Sequence, residues 1–120
     1  MPAETESNQV VLLKGMSTMK AVCREYLNTQ FGGVAAVVED IYAEYARSAR
    51  EKAEEAAAAL EGERYDDLDR IAHAAKGNAL AAGDQETVDA AIALRAAAKA
   101  RDRGESAAFV ARLKELAAAL

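Results

Sequence analysis

The stretch HAAKGNALAAG, from His73 to Gly83, contains residue types that suit phosphoryl chemistry on a nitrogen atom. His73 is the only histidine of the chain. A neutral imidazole is a nucleophile and can accept a phosphoryl group on a ring nitrogen. Lys76 and Gly77 follow three and four residues later, which places both beside His73 on one face of a helix. The ammonium group of Lys76 could stabilise the phosphoryl oxygens as charge develops on them.

Gly77 is an unexpected residue in a helix so rich in alanine. A glycine inside a helix costs about 1 kcal/mol relative to alanine. The missing side chain leaves open space one turn after His73, and a bulky partner could approach the imidazole there. Close packing between two helices is the alternative explanation for this glycine.

A helix over residues 66–82 divides its side chains into two stripes. At about 100° per residue, the stripe expected to face the core consists of Leu68, Ile71, Ala72, Ala75, Ala79 and Ala82. A second stripe lies roughly 130° away and consists of His73, Lys76, Gly77 and Leu80. Asp69 and Arg70 flank this second stripe one turn earlier. We therefore expect His73 at the surface, and a partner that docks on Asp69, Arg70, Gly77 and Leu80.

The pattern His-x-x-Lys-Gly, with a further glycine ten residues after the histidine, resembles the histidine-containing phosphotransfer (HPt) domains of phosphorelays. In this chain the pattern is formed by His73, Lys76, Gly77 and Gly83, and the resemblance covers residues 16–120. The family consists of four-helix bundles of about this length. Asn78 and Leu80 stand where the family usually has small residues.

The resemblance implies a phosphoryl carrier. The receiver domain of a response regulator would transfer a phosphoryl group from its aspartate to His73, with Lys76 as the stabilising cation. A second receiver would then collect the group on its own aspartate. Mg²⁺ would come from the receiver, so this chain would bind no cofactor of its own. A hybrid histidine kinase is a further candidate partner, but the chain has no Gly-rich ATP loop and is not expected to be a kinase itself.

Two other functions remain open at this point. The first is a non-catalytic helical adaptor or oligomerisation bundle that carries no phosphate. The second is a degenerate HPt-like inhibitor that binds a kinase or a receiver. The stripe of His73, Lys76 and Gly77 favours the carrier, because an adaptor has no need for a glycine at that position.

The composition predicts an all-helical protein with a single domain. The chain has 120 residues, one proline and no tryptophan, and it is rich in alanine, which favours helix over strand. We expect an antiparallel four-helix bundle with a short accessory N-terminal helix, spanning residues 10–120 after a disordered tail over residues 1–9. Gly15 is expected to break the short helix.

The apolar periodicity predicts where the other helices begin and end. One helix ends near Gly32-Gly33 and has an apolar face of Met16, Met19, Val22, Cys23, Tyr26 and Leu27. The next covers residues 34–60, ends at Gly62, and has an apolar face that begins with Val34, Val37, Val38, Ile41, Tyr42 and Tyr45.

Caps and breaks delimit the remaining helices. Asp66 or Asp67 would cap the helix that carries His73, and Gly83 would end it in a left-handed conformation. Asp84 would cap a helix that continues to about Arg101, with an apolar stripe of Val88, Ala91, Ile92, Arg95 (through its stem) and Ala98. Gly104 is the expected break before a last helix with an apolar face of Phe109, Val110, Leu113, Leu116, Ala117 and Leu120.

Charge and cysteine content restrict the partners and the location. The net charge is -5 and no basic cluster is present, so neither a nucleic acid nor an anionic membrane is an expected partner. Cys23 is the only cysteine, which excludes an internal disulfide, fits a reducing compartment and makes a metal site improbable. The N-terminus lacks the features of a signal peptide, and no apolar run reaches the ~20 residues that span a bilayer. We expect a soluble, cytoplasmic protein.

Overall fold

A computed structural model describes residues 19–120 of the chain. These residues form five helices and no strand, which confirms the predicted all-helical class for this part. The helices are α1 (Ala21–Gln30), α2 (Ala35–Glu61), α3 (Tyr65–Ala82), α4 (Gln85–Lys99) and α5 (Arg103–Ala118). The predicted tail over residues 1–9, the short helix from residue 10 and its break at Gly15 lie outside the described residues.

The four longer helices contact one another in a closed cycle. Helix α3 packs against α2 and α4, while α5 packs against α4 and α2. Helix α1 packs on α2 and α3. Among residues 19–120, no helix is long and apolar enough to cross a membrane.

Two clusters of buried side chains form the core. The first is formed by side chains from all four helices α2, α3, α4 and α5. It includes Ala56, Leu60, Leu68, Ala72, Leu94, Val110 and Leu113. The second lies beneath α1 and includes Met19, Cys23, Leu27, Tyr42, Tyr45, Ala79 and Val88. Helix α3 contributes to both clusters, so the helix that carries His73 is held along most of its length.

The predicted core face of α3 is confirmed. Five of its members are buried: Leu68, Ala72, Ala75, Ala79 and Ala82. The sixth, Ile71, is half-buried. The end of α3 is also as predicted, because Gly83 has a φ of 71° and lies in the left-handed region. The N–H of Asp84 then donates to the carbonyl of Ala79 at 2.9 Å and closes the last turn.

The predicted cap of α3 is wrong, and that of α4 is right in position but not in its side-chain bond. Helix α3 begins after Arg64, and Asp66 and Asp67 lie inside its first turn, where a negative charge interacts favourably with the helix dipole. Asp84 does occupy the N-cap position of α4, but its side chain accepts no backbone N–H. That carboxylate is buried and bonded to other side chains instead.

The predicted break at Gly104 is also wrong. Helix α4 ends at Lys99, and the chain turns at Arg101, which has a φ of 53°. Gly104 is the second residue of α5. The side chain of Asp102 accepts the N–H of Glu105 at 3.0 Å and caps this helix. The sequence Asp-x-x-Glu is an N-terminal capping signal that outweighs the glycine.

The apolar stripe predicted for α4 needs a correction. Val88, Ala91 and Ala98 are buried, but Ile92 is 50% exposed. Leu94, which the predicted stripe omitted, is fully buried. Alanines lie on several faces of α4, so its few large side chains decide which face turns toward the core. Leu94 packs inward, and Ile92 faces solvent.

The apolar faces predicted for α1 and α2 are too wide. Met19, Cys23 and Leu27 of the first face are buried, as are Val38, Tyr42 and Tyr45 of the second. Four other members of these faces are exposed: Val22, Tyr26, Val34 and Val37.

Candidate functional site

His73 is exposed on α3, on the side of that helix that adjoins α4. The imidazole Nδ1 lies 3.0 Å from Nη1 of Arg95, a residue of α4. A guanidinium group has donors only, so Arg95 donates and Nδ1 accepts. The expected surface position of His73 is therefore confirmed, and the ring is held by a contact with the neighbouring helix.

Arg95 also binds Asp69. Its Nε donates to Oδ1 of Asp69 at 2.9 Å, and the two side chains are only 26% and 25% exposed. Asp69 lies one turn before His73 on α3, so one arginine connects two residues of the same helix face. We call Asp69, Arg95 and His73 the α3–α4 triad.

Sequence reasoning missed the role of Arg95 and placed it in the core stripe of α4. Its neighbours in the triad are 22 and 26 residues away in the chain, and periodicity within one helix cannot reveal a contact across two helices. A charged residue within an otherwise apolar stripe was the available signal.

Lys76 is half-buried and forms no ion pair with any other residue of the segment 19–120. Its ammonium group is one turn from His73 on the same helix face. A cation without a carboxylate partner can interact with an incoming anion without first breaking an ion pair. The arrangement is therefore suited to a phosphoryl group bound on the imidazole.

The backbone at Gly77 is open to solvent. A Cβ atom built on this residue would meet no atom within 4 Å beyond its own helix backbone. Close helix packing is therefore not the reason for this glycine. The free space lies one turn from His73, as the sequence predicted.

Two apolar side chains are exposed next to this space. Leu80 follows Gly77 by one turn on α3 and is 51% exposed. Ile92 precedes Arg95 by one turn on α4 and is equally exposed. The ion pairs Asp66–Arg101 and Asp69–Arg95 show that the start of α3 faces the end of α4. Ile92 therefore lies beyond Arg95 in the direction of Gly77 and Leu80.

The four predicted docking residues do not share one environment. Gly77 and Leu80 are exposed, whereas Asp69 turns toward α4 and binds Arg95. Arg70 is 72% exposed, hydrogen-bonds to Asp67, and lines an open groove between α2 and α3. The structure thus brings Asp69 to His73 and directs Arg70 to the opposite flank of α3.

Asn78 fixes the side of α3 that faces α2. Its Nδ2 donates to Oγ of Ser48 at 2.9 Å. Asn78 follows Gly77 directly. Its bond to α2 therefore restrains rotation of α3 about its own axis next to the open space at Gly77.

A buried carboxylate lies just beyond the end of α3. Asp84 is fully buried and accepts hydrogen bonds from Nζ of Lys20 and from the Tyr45 hydroxyl, both at 2.6 Å, and from the Thr87 hydroxyl at 2.8 Å. Burial by itself would raise the pKa of Asp84, but the three hydrogen bonds outweigh it, and the pKa lies below its ordinary value. Asp84 therefore remains an anion and anchors the segment before α1.

Burial and the same carboxylate change the acidity of nearby groups. Burial raises the pKa of the Tyr45 hydroxyl, and the hydrogen bond to Asp84 raises it further. The pKa of the Cys23 thiol is raised to about 11, chiefly by burial. Neither group is available as a nucleophile at neutral pH, which leaves His73 as the exposed candidate.

The described residues contain no group of three or more His, Cys, Asp or Glu side chains that could hold a metal ion. Comparisons of the chain with protein-family models, with curated proteins and with solved structures found no match.

Proposed function

We propose that the protein is a histidine phosphotransfer protein of a two-component phosphorelay. In this proposal His73 accepts a phosphoryl group from the aspartate of a receiver domain and passes it to the aspartate of another receiver. The observation that carries the proposal is the exposed His73 beside an open glycine on a well-packed helix. Lys76 on the same face supports it, because its ammonium group pairs with no residue of the segment 19–120.

The transfer needs little chemistry from this chain. A ring nitrogen of neutral His73 attacks the phosphorus of the aspartyl phosphate, and an N–P bond forms. The P–O bond breaks, and its electron pair remains on the aspartate carboxylate. Lys76 stabilises the equatorial oxygens during this exchange. Phosphoryl transfer depends mainly on positioning and charge stabilisation, so a rigid helix that presents His73 is a sufficient half-site.

The remaining parts of the active site belong to the partner. The receiver supplies the phosphorylated aspartate and the Mg²⁺ in its acidic pocket, and a hybrid histidine kinase is a candidate source of the phosphoryl group. Gly77 gives the receiver access to His73, and Leu80 gives it an apolar contact. The chain acts as a carrier in the cytoplasm and has no kinase activity of its own.

The proposed fold is an antiparallel four-helix bundle of α2 to α5, with α1 packed against α2 and α3. The short accessory helix predicted from residue 10 lies outside the described residues. The closed cycle of contacts among these four helices supports this arrangement. The ion pairs between the start of α3 and the end of α4 support an antiparallel orientation of that pair.

A phosphotransfer assay tests the proposal. Receiver domains from the same genome are phosphorylated on aspartate with a small-molecule phosphodonor and then mixed with the purified chain. We expect phosphate on this chain that is labile in acid and stable in base, as for phosphohistidine. The His73→Gln variant should remain unlabelled. Because His73 is exposed, this variant should fold normally, and circular dichroism checks that it does.

Absence of label on the folded wild-type chain with every receiver would contradict the carrier function. Binding of a receiver or kinase without transfer would then identify an HPt-like inhibitor. Absence of both transfer and binding would favour the helical adaptor or oligomerisation bundle, which a measurement of molar mass in solution would examine next.

A further inference from the structure

The side chain that touches His73 is a donor and cannot be an acceptor. Arg95 Nη1 lies 3.0 Å from Nδ1 of His73. A guanidinium has only N–H donors and cannot accept a hydrogen bond from the ring. Nδ1 must therefore carry the lone pair in this arrangement. A neutral imidazole has one N–H and one lone pair, so the ring proton of His73 lies on Nε2.

This tautomer has no nucleophile directed at solvent. The lone pair of Nδ1 is occupied by Arg95, and Nε2, the outer nitrogen of the ring, holds a proton. Attack through Nε2 requires the opposite tautomer, with the proton on Nδ1. Nδ1 can hold either this proton or the hydrogen bond from Arg95, but not both.

We propose that Arg95 is a positioning residue that selects the tautomer of His73 and thereby restrains phosphoryl transfer in both directions. This inference rests on the proposed function for its kinetic part only, because the tautomer exists whether or not the protein carries phosphate. Asp69 keeps Arg95 in place for this role. Its Oδ1 accepts a hydrogen bond from Arg95 Nε at 2.9 Å and so holds the guanidinium beside the ring.

The transfer step shows why both directions are restrained. In the forward direction Nε2 attacks the phosphorus, the N–P bond forms, and the P–O bond to the aspartate breaks with its electron pair on the carboxylate. The proton stays on Nδ1, so the product is a phosphoimidazolium. In the reverse direction the same Nδ1 proton lets neutral imidazole leave the phosphorus. The hydrogen bond from Arg95 disfavours protonation of Nδ1 both before and after transfer. Arg95 therefore slows both reactions.

Release of Arg95 also provides an acceptor for the new tautomer. Asp69 lies one turn before His73 on the same helix and is bonded only to Arg95 among the described residues. When docking of the receiver draws the guanidinium away from the ring, the Asp69 carboxylate can accept a hydrogen bond from the Nδ1 N–H. The receiver itself thus promotes the nucleophilic tautomer as it docks.

Nitrogen NMR on the full chain tests the tautomer directly. Because His73 is the only histidine, labelling with ¹⁵N-histidine gives one ring with two nitrogens. In the spectrum of the neutral ring, the proposal expects an unprotonated Nδ1 and a protonated Nε2 in the wild type. In Arg95→Met the donor is lost and the Asp69 carboxylate is free to accept from the Nδ1 N–H, so the proton should move to Nδ1.

A second arginine between the same helices provides a matched control. Arg101, in the turn after α4, binds Asp66 of α3 at 3.2 Å, so Arg101→Met removes the same charge and a more exposed ion pair without a bond to His73. It should leave the wild-type tautomer unchanged. A protonated Nδ1 in the wild type, or identical ring spectra in the wild type and Arg95→Met, would overturn the proposal.

Transfer rates with a phosphorylated receiver test the kinetic part. Arg95→Gln and Arg95→Met should each gain and lose phosphate faster than the wild type, by about tenfold, which is the factor expected for one charge-assisted hydrogen bond. Slower acceptance in both variants would refute the restraint. A wild-type chain that takes no label would instead refute the proposed function, while the NMR result would still decide the tautomer.

Discussion

The α-carbon of Gly83 lies directly against the side chain of Tyr26. A Cβ atom on Gly83 would stand 2.4 Å from the Cβ of Tyr26 and 2.5 Å from its Cγ. Gly83 also has a φ of 71°, a conformation that glycine adopts without strain. One residue thus ends α3 and lets α1 approach it, so two separate constraints select glycine at this position.

We expect Gly83→Ala to destabilise the protein by about 3 kcal/mol. The left-handed conformation costs a side chain about 1 kcal/mol, and the overlap with Tyr26 adds about 1–3 kcal/mol because both backbones are fixed by helices. Chemical denaturation monitored by circular dichroism measures the change in the free energy of unfolding.

Gly33→Ala separates the two causes. Gly33 has a similar φ of 73°, but nothing lies within 4 Å of a Cβ placed there. This control should lose only the conformational part, about 1 kcal/mol. Equal losses in the two variants would mean that α1 moves away from α3 without cost, and that the contact with Tyr26 is not a constraint.

The stability of the protein should depend on the ionisation of Asp84. Hydrogen bonds from Lys20, Tyr45 and Thr87 lower the pKa of this carboxyl despite its burial, to below the ordinary value of 3.8. The unfolded chain therefore binds the proton at a higher pH than the folded chain. The stabilisation is complete above about pH 5 and is lost as the pH falls through the lower folded value.

Asp84→Asn should lower the free energy of unfolding at pH 7 by about 3 kcal/mol, since it leaves Lys20 without its buried partner. It should also flatten the decline in stability below about pH 5. Asp89→Asn, which changes an exposed aspartate of the same helix, should keep the wild-type profile. A wild-type profile in Asp84→Asn would show that this carboxylate is not an anion in the folded protein.

The sequence predicted the helical class and the exposed face of α3 because both depend on local periodicity. His73, Lys76 and Gly77 share a face on any helix that buries Leu68 and Ala72. Gly83 was also predictable, because a glycine after an apolar repeat is a common helix stop. These features need no knowledge of the neighbouring helices.

The triad and the buried carboxylate could not be predicted in the same way. Arg95 meets Asp69 and His73 across two helices, and Lys20 meets Asp84 across 64 residues of chain. Alanine fits a core face and a solvent face equally well, so the rotation of α4 was ambiguous. The apolar stripe predicted from periodicity alone consequently contains Ile92, which is exposed, and lacks Leu94, which is buried. Tertiary packing decides these choices.

The buried position of Cys23 predicts slow reaction with thiol reagents. Cys23 lies on the face of α1 that packs against the other helices, and its side chain is fully buried. Burial is the chief reason why the pKa of its thiol is raised to about 11. Modification by a disulfide reagent at pH 8 should therefore proceed mainly through transient detachment of α1, at least about a hundredfold more slowly than in denaturant.

Gly83→Ala should accelerate this modification of Cys23, because it weakens the contact of α1 with the end of α3. Gly33→Ala serves again as the control and should have the smaller effect. Rapid modification of the native wild type would show that α1 is largely detached in solution.

Replacement of Gly77 separates stability from function most clearly. In the isolated chain the site is open, so Gly77→Ala should raise the free energy of unfolding by up to about 1 kcal/mol, which is the helix-propensity difference between the two residues. If a receiver docks against this backbone, the same change should slow phosphoryl transfer to His73 at least about tenfold, since misplacement of the reacting groups by a fraction of an ångström is costly. Gly77→Met should slow it further.

Gly104→Ala is the matched control for this prediction. Gly104 lies exposed near the start of α5, and a Cβ there would make only an ordinary contact, at 3.6 Å from Oδ1 of Asp102. It should gain a similar stability and transfer phosphate at the wild-type rate. A more stable protein that transfers more slowly only when Gly77 is changed would show that this glycine serves the partner rather than the fold. Wild-type transfer in Gly77→Met would show that no partner approaches His73 from this side.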